Sequence, residues 1–193
     1  MYIISILKIE KMGIIAIVLA VLLVAGLFFC TTKVSAGHTG VVVSFGKVQD
    51  YTLDSGLHFK APWHRVVKMD NRVQKETVEL SCFSSDIQEV NLIYTANYRI
   101  EKDNAMKIYS EIGKDYYDTV IAPAIAESAK IIAAKYSAEN LISMRSELAL
   151  GIEQELSNKL SKYNIEVVST AVEDMDFTDA FTNAVEQKQV AEQ

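Results

Sequence analysis

The rhythm of apolar and polar residues changes along this chain, and each change marks an element. From Met12 to Cys30 nineteen residues run without a charged side chain, twelve of them Leu, Ile, Val or Phe. From Val41 onward apolar and polar residues alternate with a strand-like period as far as Ile100. Beyond Lys102 the apolar residues recur every three or four positions, as helices require.

The apolar run, as a helix, would be about 28 Å long, close to the thickness of a bilayer's hydrocarbon core. Each of its large aliphatic or Phe side chains favours insertion by roughly 0.3–0.6 kcal/mol at mid-membrane, with no charge opposing. A single transmembrane anchor over 12–30 is therefore expected, after a short tail at 1–11. Ile14, Ile17, Leu19, Leu22, Leu23, Leu27 and Phe28 supply its apolar surface. A cleaved signal peptide competes, because Val34-Ser35-Ala36 offers small residues at a cleavage position. The long apolar core and the intervening Lys33 favour the uncleaved anchor. A lipid-bearing Cys30 fits poorly behind bulky Phe28 and Phe29, and a buried core helix fits poorly with the length and terminal position. Lys8 and Lys11 before the segment, against Lys33 after it, favour a cytoplasmic N-terminus with the domain on the opposite side.

In the first half, Val41, Val43 and Phe45 suggest one buried strand face, ended by Gly46-Lys47. Leu57–Pro62 reads as extended, since Pro62 biases Ala61 away from helix. Short β-prone runs flank a turn at Asp70-Asn71. The cleanest alternation sets Val90, Leu92, Tyr94, Ala96, Tyr98 and Ile100 on one face against Glu89, Asn91, Thr95, Asn97 and Arg99 on the other. This predicts a half-buried antiparallel strand with one wet face.

Asp103 is placed to cap a short helix ending at Gly113, and Asp115 to cap the next, which Pro123 should kink or restrict to an early turn. Ser137 opens a helix whose stripe Leu141, Met144, Leu148, Ile152, Leu156 and Leu160 faces a core. A last strand at Ile165–Val172 leads through Asp174–Asp176 to a helix opened by Thr178. Its apolar positions run loosely to Ala191-Glu192-Gln193 without a terminating signal, which reads as the start of a longer helix.

The formal net charge is −6; Lys8, Glu10 and Lys11 contribute +1 before the anchor, leaving −7 beyond it. An acidic domain without a basic stripe argues against nucleic acid as a partner. Cys30 and Cys82 make no ligand pair or disulfide framework. No catalytic, cofactor or metal constellation is found. His38, His58 and His64 lack metal-ligand spacing. Ser84-Ser85-Asp86 lacks a nucleophile elbow and reads as a turn. Gly37, Gly40 and Gly46 do not form a phosphate loop. Phe59, Pro62 and Trp63 place aromatic bulk in a loop that either meets the membrane interface or fills a small core.

The order of short motifs resembles the band-7 or SPFH (stomatin–prohibitin–flotillin) family, its prohibitin-like members most closely. The motifs are Ala36-Gly37-His38-Thr39-Gly40-Val41-Val42, Phe45-Gly46-Lys47-Val48, Gly56–Trp63, Met69-Asp70-Asn71-Arg72, Ile121–Ile125, Asn140–Arg145 and Glu186–Gln193. The resemblance implies an α+β domain over 33–176 with an antiparallel sheet and packed helices. It also implies a coiled-coil-type assembly helix from 177 to 193, using Phe181, Ala184, Val185 and Ala191. The implied role is a non-catalytic, self-associating membrane scaffold. Its implied partners are the lipid bilayer, copies or close paralogues, and an ATP-dependent membrane protease. By position, the loop from Gly56 to Trp63 would face the membrane. A membrane-tethered hydrolase using Ser84 or Ser85, or a ligand-sensing domain, remains the alternative.

Overall fold

The computed structural model describes Ile17, Gly26, residues 30–178, Phe181 and Thr182. The chain divides into two compact units, Met1–Met69 and Asp70–Gln193.

The first unit is built from short strands. β1 (Thr31–Val34) pairs antiparallel with β4 (Gly56–Phe59). β2 (His38–Ser44) lies between β3 (Lys47–Leu53) and β5 (His64–Asp70) in a second sheet. Thr39, Gly40, Val41 and Val42 are buried in succession, so both faces of β2 are covered. Strict alternation through Val41, Val43 and Phe45 therefore fails. Val43 is only half-buried, and Phe45 leaves the strand. Phe45 and Gly46 instead make the two-residue turn between β2 and β3, with φ of 47° and 83°. Two successive left-handed residues match the twist of a hairpin, a geometry that Asn-Gly satisfies without strain and Phe does not. At Gly40 a Cβ would lie 2.9 Å from Val66 Cγ1, 3.0 Å from Val34 Cγ2 and 3.2 Å from Leu53 Cβ, so only glycine lets these strands close.

The second unit carries the long sheet. β7 (Glu89–Ile100) sits between β6 (Gln74–Phe83) and β8 (Ile165–Phe177), antiparallel to both. Val90, Leu92, Tyr94, Ala96, Tyr98 and Ile100 are all buried, as their alternation predicts. The helices are α1 (Ala105–Glu111), α2 (Ala122–Ala133), α3 (Ala138–Ser143) and α4 (Arg145–Ser161), with α2 packed against β6, α4 against β8 and α3 against α4. Leu148, Ile152, Leu156 and Leu160 of α4 are at most 1 % exposed. The other face is polar and cross-linked. Thr77 donates to Thr95 Oγ1 (2.7 Å), which donates to Glu173 Oε1 (2.7 Å). Arg99 Nε meets Glu166 Oε2 at 2.7 Å.

The helix boundaries depart from their sequence signals. Asp103 lies inside a 3₁₀ turn, Lys102–Asn104, and caps nothing; Asn104 precedes α1 without a side-chain cap. Gly113 does end the segment, at φ 105°. The Asp115 carbonyl, rather than its side chain, takes the Thr119 N–H at 3.1 Å. From Tyr117 to Ile121 the chain is a π-helix, its wider turn set just before Pro123. Proline has no N–H to give and would crowd the carbonyl four residues back, so the expected kink takes this form.

Ser137 does cap α3, its Oγ accepting the Asn140 N–H at 3.3 Å. The single helix expected from Ser137 to Leu160 is broken at Met144 (φ −112°, ψ 37°), whose side chain is 37 % exposed. Each half has its own anchor. Asp86 accepts the Ala138 N–H at 3.0 Å, and Arg145 Nη2 donates to the Val172 and Glu173 carbonyls at 2.8 and 2.7 Å. The last strand also continues past Val172, because the β7–β8 ladder accommodates irregularities beside Tyr94 and Tyr98 and reaches Phe177 opposite Val90.

Gly40→Ala should destabilise the first unit by about 1–3 kcal/mol through overpacking. Gly151→Ala should be nearly neutral, because a helix gains roughly 1 kcal/mol from Gly to Ala and only the Ile132 methyl, 3.0 Å away, must yield. Urea titration of the two variants separates these cases. Hydrogen bonds from Thr95 first, and then Lys75, hold Glu173 below its usual pKa. A lowered carboxylate stabilises fully above its unfolded pKa and loses that contribution as pH falls through its folded value. Denaturation midpoints measured from neutral to acidic pH should therefore fall less steeply in Glu173→Gln than in the parent.

Candidate functional site at the aromatic end of the first unit

The pairing of β1 with β4 sets the geometry here. Thr31 stands opposite Phe59, and Val34 opposite Gly56. The Lys60 N–H extends the ladder by donating to the Cys30 carbonyl at 2.6 Å. Cys30 is the last residue of the apolar run, so the end of β4 carrying Phe59 and Lys60 is tied to the point where that run stops.

A tight turn follows. The His64 N–H donates to the Ala61 carbonyl at 2.9 Å, with Pro62 and Trp63 at the corner. Pro62 suits the first central position of such a turn because its φ is already fixed there. Phe59 is 77 % exposed and Trp63 57 %, and Pro62 is exposed as well. Trp63 touches the His64 ring edge-on, with centroids 6.2 Å apart. The core-filling alternative for Trp63 is thereby excluded: its indole is on the surface. Leu57, on the same strand, is 69 % exposed.

Of the residues expected to form an anchor, Ile17 is helical and 65 % exposed, whereas Ile14, Leu19, Leu22, Leu23, Leu27 and Phe28 lie outside the described residues. Among the described residues no helix is long and apolar enough to cross a membrane. At the other end, the Phe181 and Thr182 N–H groups donate to the Thr178 carbonyl at 3.0 and 3.1 Å, which opens a helical turn at Thr178 as expected. Phe181 packs on Phe177 with centroids 5.1 Å apart. Ala184, Val185 and Ala191 lie outside the described residues.

The residues named for hydrolytic chemistry have structural partners. Ser84 is buried; its Oγ accepts the Gln88 N–H at 3.0 Å and donates to the Gln88 carbonyl at 3.2 Å. The Ser85 N–H donates to the Tyr136 carbonyl at 2.8 Å. The neighbouring Ser84 hydroxyl, and then the Ala138 N–H, hold Asp86 below the usual carboxylate range, which suits a fixed turn acceptor. His38 Nδ1 lies 3.2 Å from the Ala36 carbonyl, His58 Nε2 2.7 Å from the Asp54 carbonyl, and His64 Nδ1 3.4 Å from Tyr51 Oη. Among the described residues no group of three or more His, Cys, Asp or Glu is placed to hold a metal ion.

Two small grooves in the second unit bear on ligand sensing. One, of about 280 Å³, lies beside Val120, Pro123 and Tyr163, and its Lys159 is already paired with Glu127 at 2.8 Å. The other, of about 300 Å³, is lined by Glu101, Ser157, Asn164 and other polar residues. Both sit at the low end of ligand-pocket volumes. Ile87 and Phe45 are the most exposed large apolar residues among those described, and neither position follows from the hydrophobic pattern. Ile87 is 81 % exposed with φ 61°, and Phe45 is 89 % exposed. The Phe45-Gly46 pair between two β-prone runs is the signal that could have revealed the hairpin tip.

Comparison with known proteins adds the lineage. The profile of the SPFH domain / Band 7 family matches residues 32–193. The chain is 32 % identical to Prohibitin-1 of Colletotrichum higginsianum over 147 residues, 76 % of this chain and 54 % of that protein. It is 30 % identical to Prohibitin-2 of Mus musculus over 163 residues, 83 % of this chain and 54 % of the relative. It is 31 % identical to Prohibitin 1 of Drosophila melanogaster over 163 residues, 83 % and 59 % of the two chains. The chain thus spans a little over half the length of these curated relatives. With its α+β fold of antiparallel sheets and packed helices, the chain belongs to the SPFH domain / Band 7 family, as a prohibitin-like member.

Proposed function

We propose that this chain is a membrane-anchored, non-catalytic scaffold that self-associates and organises neighbouring proteins and lipids. The observation that carries the reading is the tie between β4 and the end of the apolar run: Lys60 donates to Cys30, with Phe59 and Trp63 exposed beside it. Exposed aromatic rings favour the membrane–water interface, where an apolar body and a polar edge are both satisfied. An anchor at 12–30 would bring the loop from Gly56 to Trp63 to that interface. Lys8 and Lys11 favour a cytoplasmic N-terminus, with the folded units on the opposite side.

Self-association would run through the helix that opens at Thr178, with Phe181, Ala184, Val185 and Ala191 as its apolar positions. Copies of this chain or close paralogues are the natural partners for such a seam. The prohibitin-like lineage supports both this assembly and a further role in restraining an ATP-dependent membrane protease. The turn bonds of Ser84 and Asp86 support a structural rather than a nucleophilic part for that segment.

In detergent the chain, extended at its C-terminus by further helical repeats, should elute as a multimer by light scattering, and Phe181→Asp should lower its mass. A monomer at high concentration would contradict the scaffold. Ser84→Ala should cost about 1 kcal/mol of stability through its lost hydrogen bonds. The Ser84→Ala/Ser85→Ala double variant should leave membrane binding and assembly unchanged.

A further inference from the structure

We infer that Phe45, at the tip of the β2–β3 hairpin, joins Phe59 and Trp63 in one aromatic foot that enters the outer layer of the bilayer beside the anchor. The inference rests on the membrane-anchored reading and adds to it a contact that the loop from Gly56 to Trp63 does not contain.

The contacts within the first unit bring these residues to one end. β1 runs from Thr31 to Val34, and the chain then reverses: the His38 N–H donates to the Ser35 carbonyl at 3.2 Å, and Val34 comes to lie against Gly40. β2 therefore returns from the Val34 end toward the Thr31 end, and its turn at Phe45-Gly46 lies at the far limit of that return. β5 supplies an independent check. Val66 lies against Gly40, and His64 reaches Tyr51, which sits on β3 in the stretch facing Val41–Val43. Moving from Val66 back to Trp63 thus follows β2 from Gly40 toward Phe45. At about 3.3 Å per residue, Phe45 lies roughly 16 Å beyond Gly40, and Trp63 and Thr31 roughly 10 Å beyond Val66 and Val34, all in the same direction. Phe59 stands opposite Thr31.

Exposure and strain identify Phe45 as more than a connector. Its ring is 89 % exposed and its φ is 47°. A bulky residue in the left-handed region costs about 1–2 kcal/mol, and an exposed ring recovers none of that from the fold. Such an outlier is explained when the ring meets an apolar partner outside the folded unit. The partner is lipid, because the same end carries the junction with the apolar run at Cys30. Lys47 follows the tip directly and Lys60 follows Phe59, placing two ammonium groups where long side chains can reach phosphate headgroups.

Trp63 is the only tryptophan in the chain, so the test reads its fluorescence directly. The full chain is reconstituted into phosphatidylcholine/phosphatidylglycerol vesicles containing lipid brominated at the upper acyl positions. A Phe45→Trp, Trp63→Phe chain serves as the second reporter. Both tryptophans should lose intensity to brominated lipid, shift their emission to the blue and resist aqueous acrylamide. Vesicle-bound protein in which either tryptophan is quenched by acrylamide and spared by brominated lipid overturns the shared foot while leaving the anchor intact. Protein that fails to float with the vesicles overturns the anchored reading, and the foot with it.

Discussion

The antiparallel register of β1 on β4 is the constraint from which the functional reading follows. It extends by a single bond, Lys60 N–H to the Cys30 carbonyl, onto the last residue of the apolar run. A strand ladder is directional, and a slip of one residue would move every side chain to the opposite face. Because Thr31 faces Phe59 and Val34 faces Gly56, one end of the first unit is joined to the apolar segment and the other is carried away from it. Gly40 permits the same arrangement from within: Val66, Val34 and Leu53 crowd the position a Cβ would take, so only glycine lets β2 approach them this closely.

The second unit follows a different logic. Its long central strand buries one face under α2 and α4 and keeps the other face wet but internally bonded, through Thr77, Thr95 and Glu173 and through Arg99 and Glu166. Exposed ion pairs of this kind contribute little stability each. They do satisfy the polar groups of a sheet face that no helix among the described residues covers. Strain is placed where contact with the outside is available. Phe45 and Ile87, a bulky and a β-branched residue in left-handed conformations, are both exposed on hairpin turns.

Periodicity carried much of the fold. β7 was legible residue by residue, since a half-buried strand writes its two faces directly into the sequence. The α4 stripe was legible for the same reason. The failures occurred where tertiary contacts override a local signal. Asp86 and Arg145 tie α3 and α4 to different parts of the sheet, so a continuous apolar stripe became two helices broken at Met144. Asp103 and Asp115 carry cap-like sequences, but the backbone satisfied its own first-turn groups with a 3₁₀ turn and a π-helix. β2 is covered on both faces, so alternation carried no information there. At the candidate site, Phe59, Pro62 and Trp63 stood out as aromatic bulk near the apolar run, but only the register showed that the end of β4 beside them is bonded to Cys30, through Lys60. Phe45 was hidden because an aromatic beside valines reads as strand until the turn geometry is known.

The central claim is that this register aims one end of the first unit at lipid, and it predicts a gradient along β4. Spin labels placed singly at residues 56, 58 and 59 of the vesicle-reconstituted chain should show oxygen accessibility relative to aqueous nickel rising steadily toward residue 59. A flat profile, or one rising toward residue 56, would contradict the account.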